Sequence, residues 1–339
     1  MSNCSSLPFL MGSHGKENIL LRKFVYNFFK GNLQFTLQPE DVMKMDWIWQ
    51  QSFLDATVNS KLVKEYPISS WLFTSFIKKL IGYLEPHQEV HDDFYSLLCC
   101  SMGTSNLNDF YYKHYIVGNC FDNIITIKET HNMVVDGTTG MKTWEAALLL
   151  SDWALCNQDI FSNKRVLELG SGVGFAGITI GKLCNVNTIF LTDCHDAVIK
   201  TINENIQINF SNYKLEEVHN VSIYKTETKS IGVTLLDWDN LDGFGFDINP
   251  DVIIGADIVY DPEIVKSLCK TLEKFFTNKK IQVYIASVIR NEETFNIFLQ
   301  TLGMCNTMNI TWEKINITKS VFIEWDESIN KCLIKLTSK

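Results

Sequence analysis

The residues of this chain that can do chemistry sit where apolar runs end. Val166-Leu167-Glu168-Leu169 leads into Gly170-Ser171-Gly172-Val173-Gly174-Phe175-Ala176-Gly177. Glycines at this spacing allow a tight turn from strand to helix and let a ligand approach the backbone closely. The stretch holds a literal G-x-G-x-x-G from Gly172 to Gly177, which alone does not separate a dinucleotide from S-adenosylmethionine. Roughly twenty residues further on, Asp193 closes the next apolar run. A carboxylate there can accept hydrogen bonds from both ribose hydroxyls of an adenosine. Glu168, just before the turn, offers a second carboxylate suited to the cationic amino group of a methionine moiety.

Three further places add to this set. In Leu236-Asp237-Trp238-Asp239 an indole at a strand end can stack on adenine while a carboxylate bonds its exocyclic amine; packing in the core is the alternative use of Trp238. Gly255-Ala256-Asp257-Ile258-Val259-Tyr260 puts an acid and a phenol past a fully apolar run, at the carboxyl edge where open α/β sheets bind ligands. The alternative for that pair is an N-capping aspartate and a core tyrosine. Thr138 to Glu145 precedes an apolar helix, Ala146 to Trp153, and can lay Trp144 against the same ligand.

Such positions converge only if strand ends are brought together. After Gly137 the chain alternates helical and strand patterns, with buried-strand candidates at Val166–Leu169, Thr188–Thr192, Val233–Asp237, Val252–Gly255 and Gln282–Ala286. That alternation predicts a parallel sheet covered by helices. Asn309–Ile317 and Lys331–Leu336 are two strands too close for a crossover helix, so they should pair antiparallel at one sheet edge. Before this, residues 17–102 show helical spacing, with punctuation at Pro39-Glu40-Asp41 and a helix from Ser69 to Ile81 closed by Gly82. Ile116-Val117 and Ile124–Ile127, separated by Gly118-Asn119, read as a short β-hairpin. The expected division is a helical extension over 1–110, a cap able to dock a substrate, and a catalytic domain over 111–339. The aromatics Phe24, Phe28, Phe29, Trp47 and Trp49 fit either the core of that cap or a docking face.

Bulk properties exclude several classes. With 339 residues, 46% hydrophobic and 20% charged, the chain is an ordinary globular protein. A net charge of -9 argues against a general electrostatic grip on nucleic acid. The apolar runs are too short to cross a bilayer and the N-terminus lacks a secretory pattern, so a cytoplasmic protein without membrane contact is expected. Ten scattered cysteines, with no C-x-x-C pair, indicate no metal site and read as reduced, mostly buried residues.

Taken in order, Thr139-Gly140…Trp144, Val166-Leu167-Glu168-Leu169-Gly170-Ser171-Gly172, Thr192-Asp193-Cys194-His195, Leu236-Asp237-Trp238 and Ala256-Asp257-Ile258-Val259-Tyr260 resemble the seven-strand lysine methyltransferases of family 16. Trp144-Glu145-Ala146-Ala147-Leu148 and Arg290-Asn291 are similar to the branch of that family directed at elongation factor 2. The resemblance implies an α/β, Rossmann-like seven-strand sheet and a monomeric protein-lysine N-methyltransferase. It implies S-adenosyl-L-methionine as cofactor, bound by Trp144, Gly170, Ser171, Gly172, Asp193, Trp238 and Ala256. Asp257 and Tyr260 then form a D-x-x-Y motif beside the target lysine, and the partner is a protein substrate, elongation factor 2. A nicotinamide-dependent oxidoreductase would explain the glycine turn and Asp193 but not Trp238 or D-x-x-Y, and a non-catalytic binding module would need broken cofactor residues.

Overall fold

The computed structural model describes residues 17–103, 110–118, 121–241, 248–278, 280–304 and 310–338. Asn119 of the expected hairpin turn and Asn309 of the expected strand lie outside these. The chain divides into two compact units, 1–131 and 132–339.

In the first unit, helices α1 (Glu17–Lys30), α2 (Pro39–Val42), α3 (Trp47–Ala56), α4 (Lys61–Glu65), α5 (Ser70–Leu84) and α6 (Asp92–Gly103) precede strands β1 (Phe110–Ile116) and β2 (Ile124–Thr130). The Asp46 carboxylate accepts from Trp49 N–H at 2.9 Å and caps α3, satisfying one donor that the first helical turn leaves open. Phe24, Phe28, Phe29, Phe53, Phe76 and Trp49 are buried. Their edge-to-face and stacked rings make them core; Trp47, 41% exposed, lies against His91 instead.

The helix from Ser70 does not stop at Gly82 but runs through it to Leu84, because Ile81 and Leu84 both bury their side chains; Pro86 follows the true end. The antiparallel β1–β2 hairpin belongs to this unit, so the division falls some twenty residues beyond the expected boundary near 110. Ile116 joins the helical core and the buried His114 ring is held between Thr126 Oγ1 and the Tyr66 carbonyl, which ties the hairpin to the helices.

The second unit contains α7 (Glu145–Cys156), β3 (Arg165–Leu169), α8 (Phe175–Leu183), β4 (Thr188–Asp193), α9 (Asp196–Asn209), β5 (Lys214–Val218), β6 (Val221–Lys225) and β7 (Ser230–Leu235). It continues with β8 (Val252–Ala256), α10 (Pro262–Asn278), β9 (Gln282–Val288), α11 (Glu292–Met304), β10 (Ile310–Ile315) and β11 (Lys331–Ser338). The sheet order is β10-β11-β9-β8-β3-β4-β7-β6-β5. Strands β7, β4, β3, β8 and β9 are parallel; β11 joins β9 antiparallel and β10 closes that edge. These seven are the expected Rossmann-like strands.

The β5–β6 hairpin extends the opposite edge and has no counterpart in the sequence reading. Strand β5 is largely solvated while β6 buries Val221 and Tyr224, and the turn is His219-Asn220, both at positive φ, rather than a glycine pair. The strand expected at 233–237 spans Ser230–Leu235. The core of one sheet face is built from α10 and α11 residues such as Leu268, Leu272, Phe298 and Leu302. Helix α7 buries nearly all its length, which explains an apolar pattern without a polar stripe.

Strands β4 and β7 lie to one side of β3, and β8 and β9 to the other. The order in which strands are added to the sheet reverses between β3 and β8, and that switch point is where an open sheet leaves a crevice beyond its carboxyl ends. Among the described residues no helix is long and apolar enough to cross a membrane, and no cluster of His, Cys, Asp and Glu could hold a metal ion. Among the described residues, Cys184, Cys269 and Cys332 are buried whereas Cys99, Cys156 and Cys194 are exposed.

Candidate active site

Both motifs flanking the switch point emerge at the same sheet edge. After β3, Gly170, Gly172 and Gly174 all take positive φ, and Gly174 leads into α8. Gly172 does not admit a side chain without strain: at φ +52, a Cβ would lie 3.0 Å from the Gly140 carbonyl oxygen. The backbone of the 138–144 loop thus lies directly against the turn. That loop starts from a tight Asp136-Gly137 turn, with reciprocal Val135–Thr138 backbone bonds, and Thr138 Oγ1 accepts from Gly140 N–H at 3.0 Å.

The turn is tied to β4. Ser171 N–H donates to the Thr192 carbonyl at 2.8 Å and Ser171 Oγ accepts from Thr192 N–H at 3.0 Å. Asp193 Oδ2 accepts from Gly172 N–H at 3.1 Å and Oδ1 from His195 N–H at 3.3 Å. Each carboxylate oxygen keeps further lone-pair capacity for a ligand hydroxyl. Burial raises the Asp193 pKa, opposed by these backbone donors. Trp238, partly buried past β7, brings its indole to 3.7 Å from where a Cβ on Gly170 would stand. It packs on the core and borders the turn at once.

Glu168 lies beneath the turn. It is 2% exposed, and its Oε2 accepts from Gly177 N–H at 3.1 Å in the first turn of α8. Burial pushes its carboxyl up to about 8, against hydrogen bonds from Ser171 and Gly177 that favour the anion. A carboxyl this deep braces the turn from beneath. Gly177 makes room for it, since a Cβ there would lie 2.4 Å from Glu168 Oε2.

Past β8, Ala256 pairs with Ala286 of β9 and Asp257 turns into the left-handed region at φ +53. Its N–H donates to the Ala286 carbonyl at 2.8 Å, its Oδ1 accepts from Val288 N–H at 2.8 Å, and its Oδ2 accepts from Arg290 Nη2 at 3.2 Å. The side chain is 8% exposed, and burial raises its pKa against those donors. Ile258 and Val259 are buried while Tyr260 is 56% exposed, its hydroxyl hydrogen-bonded with Thr139 and within electrostatic reach of Asp193. Tyr260 is therefore no core tyrosine. Trp144 takes the N-cap position of α7, its Nε1 donating to the Thr139 carbonyl at 3.0 Å.

A recess of about 350 Å³ opens beside these groups, lined among others by Tyr260, Ser287, Arg290, Asn291 and Phe295. Two of its residues were not singled out by chemistry in the sequence. Arg290 follows an apolar strand as a lone cation, a signal its pattern offers; Ser287 is 3% exposed and its Oγ has no hydrogen-bond partner among the described residues.

One edge thus carries a glycine-rich turn braced by the Asp193 carboxylate, and an acid–phenol pair next to a recess. Residues 121–304 match methyltransferase family 16, lysine methyltransferase. The chain belongs to that family. Its members are S-adenosylmethionine-dependent protein-lysine methyltransferases, and this chain is one of them. It is 32% identical to the protein-lysine N-methyltransferase EEF2KMT of Bos taurus over 84% of this chain and 85% of that protein. It is 29% identical to the Homo sapiens EEF2KMT over 85% of this chain and 86% of that one. With the protein-lysine N-methyltransferase EFM3 of Saccharomyces cerevisiae the identity is 25%, over 74% of this chain and 78% of that protein.

Proposed function

We propose that this methyltransferase modifies a lysine of elongation factor 2, acting as a monomer in the cytoplasm, with the cofactor on the β3–β4 side of the switch point and the lysine on the β8–β9 side. The observation that carries the two-sided reading is the meeting of the Asp193-braced glycine turn and the Asp257–Tyr260 pair at one sheet edge, with a recess opening beside the pair. The substrate is supported by the resemblance of the Trp144–Leu148 and Arg290-Asn291 segments to the elongation factor branch of the family.

The residues present fit S-adenosylmethionine. Gly170, Ser171 and Gly172 offer backbone without bulk, Asp193 has lone pairs for a ribose, and Trp238 and Trp144 are apolar walls on either side of the turn. Ala256 leaves the wall at the end of β8 low. Glu168 serves this site by holding the turn. When bound, the cofactor supplies an electrophilic methyl on a sulfonium.

The protein's task is then alignment, since reacting atoms held about 3 to 3.5 Å apart in line need little further activation. Asp257, fixed by Val288 N–H and Arg290, orients the amine. The Tyr260 ring borders its path, and its face favours cationic groups. The amine gives a proton to solvent, and its nitrogen lone pair forms the N–C bond as the C–S bond breaks with its pair left on sulfur. The new ammonium sheds a second proton to water. We assign the helical unit before Asn132 to docking of the protein substrate, an assignment supported by the exposed Met43, Trp47 and Ile48 on its surface.

The test is methylation of purified elongation factor 2 by the full chain with labelled S-adenosylmethionine, beside a panel of other lysine-bearing proteins. Selective label on a lysine of the factor is expected. Label on another protein alone would overturn the substrate and keep the reaction.

A further inference from the structure

The recess beside Asp257 holds a cation of the protein's own. Arg290, just past β9, donates from Nη2 to Asp257 Oδ2 at 3.2 Å, and its guanidinium carbon stands 5.1 Å from the centroid of the Trp144 ring. Half exposed, it also lines the recess with Tyr260. The other oxygen of Asp257 is held by Val288 N–H, and Ala146 N–H in the first turn of α7 reaches the same carboxylate. Asp257 is thus committed on both oxygens before any substrate arrives.

A lysine amine attacks only after losing its proton, and its ordinary pKa of about 10.4 makes that unfavourable at neutral pH. A bare carboxylate beside it would make matters worse by favouring the ammonium, whereas an adjacent guanidinium disfavours it. Arginine keeps its charge throughout the working pH range. We propose that Arg290 is a positioning residue of the methyl transfer, whose fixed charge cancels that of Asp257 and so lets the target amine lie beside that carboxylate in its neutral, attacking form. This rests on the reading of the site as a lysine methyltransferase centre acting on elongation factor 2.

The surroundings leave this task to Arg290. The acidic groups on the elements around the pair are Glu145 at the start of α7, Tyr260 and Asp261 before α10, Glu292 and Glu293 at the start of α11, and Asp193 at the end of β4. Lys142 on the loop before α7, His195 past β4 and Lys331 at the start of β11 can carry positive charge, but Lys331 lies over the Trp325 ring and the cation whose charge acts on Asp257 is Arg290. Asp193 and Asp261 act electrostatically on Tyr260, and the Glu145 carboxylate turns away to accept from Asp326 N–H at 3.0 Å. Among the described residues Arg290 is the cation in contact with Asp257.

The experiment follows kcat and KM for methylation of elongation factor 2 from about pH 6 to pH 10, a span that covers the approach to lysine deprotonation. It compares the full-length wild-type chain, Arg290→Ala and Arg290→Lys, with binding of labelled S-adenosylmethionine measured for each. For Arg290→Ala the rising acid limb of kcat should move up by about one pH unit, costing about tenfold in rate near neutrality and much less at high pH. KM and cofactor affinity should change less than about threefold, and Arg290→Lys should keep the limb near its wild-type place. A limb that stays put in Arg290→Ala, a defect confined to KM, or a loss of cofactor affinity would each overturn the inference. A wild-type chain inactive on the factor at every pH would instead overturn the functional reading, and this proposal with it.

Discussion

The two sides of the switch point are built differently. The β3–β4 side is backbone architecture: four glycines, reciprocal bonds between Ser171 and Thr192, and a buried Glu168 under the turn. The β8–β9 side is side-chain architecture, an aspartate at φ +53 paired with Arg290 next to an exposed phenol. A backbone-built site tolerates little change in shape and carries affinity. A side-chain-built site sets which proton is where, and carries rate.

Substitutions on the two sides should therefore separate rate from affinity. The largest effect is expected for Asp257→Asn, which suits the left-handed backbone and can still accept from Val288 N–H. Its kcat should fall by roughly 10²- to 10³-fold while S-adenosylmethionine affinity, read by calorimetry, stays within about threefold. Loss of both together would erase the division between the two sides. Next comes Asp193→Ala, for which cofactor affinity should weaken by roughly 10- to 100-fold, the equivalent of a lost charge-assisted hydrogen bond. Unchanged affinity would remove the ribose role from Asp193.

The same contrast explains what could be read from the chain beforehand. The glycine turn, Asp193 and five parallel strands are dictated locally, since a turn at positive φ needs glycine and a buried parallel strand needs an apolar run. Arg290 and Asp257 meet only because β8 and β9 are neighbours, a fact of pairing and not of pattern. Glu168 shows the limit of residue type alone: its type suggested an amino group as partner, and only the packing of α8 on β3 reveals the bond from Gly177 N–H under the turn, where Gly177 leaves space for it. Asp152 was hidden for the same reason. A lone acid in an apolar helix, it accepts from Val321, Phe322 and Ile323 N–H and Trp325 Nε1, partners about 170 residues away. The β5–β6 hairpin escaped because β5 has no buried residue to set a period and the two buried in β6, Val221 and Tyr224, are three apart and break the alternation of a half-buried strand.

Effects on the fold should be smaller and confined to the backbone-built side. Gly177→Ala forces a methyl to 2.4 Å from Glu168 Oε2 and 2.6 Å from the Leu191 side chain, so the urea midpoint should fall by an amount corresponding to about 1–3 kcal/mol. Glu168 itself makes stability depend on pH. Its folded carboxyl is raised from 4.5 to about 8, so between those values the folded state holds a proton that the unfolded state releases. Stability must then decline as pH rises through that window. In Glu168→Gln, whose amide oxygen can still accept from Gly177 N–H, thermal melts at about pH 5 and 8 should lie closer together than in the wild type. An unchanged wild-type slope in that variant would show that another group carries the dependence.

Ser287→Ala should do least to stability, and its sign is informative. A buried hydroxyl without a partner carries a desolvation cost of about 1–3 kcal/mol that its removal relieves, offset in part by lost packing. The Ser287 hydroxyl is such a group, on the recess wall next to Arg290. The variant should thus unfold at the same or slightly higher urea concentration, a shift of at most about 1 kcal/mol. A destabilisation larger than that would mean the hydroxyl has a partner in solution. If folding is unharmed while kcat/KM for the protein substrate drops, the hydroxyl's partner is the incoming lysine, and the side-chain-built half of the site extends one residue deeper along β9.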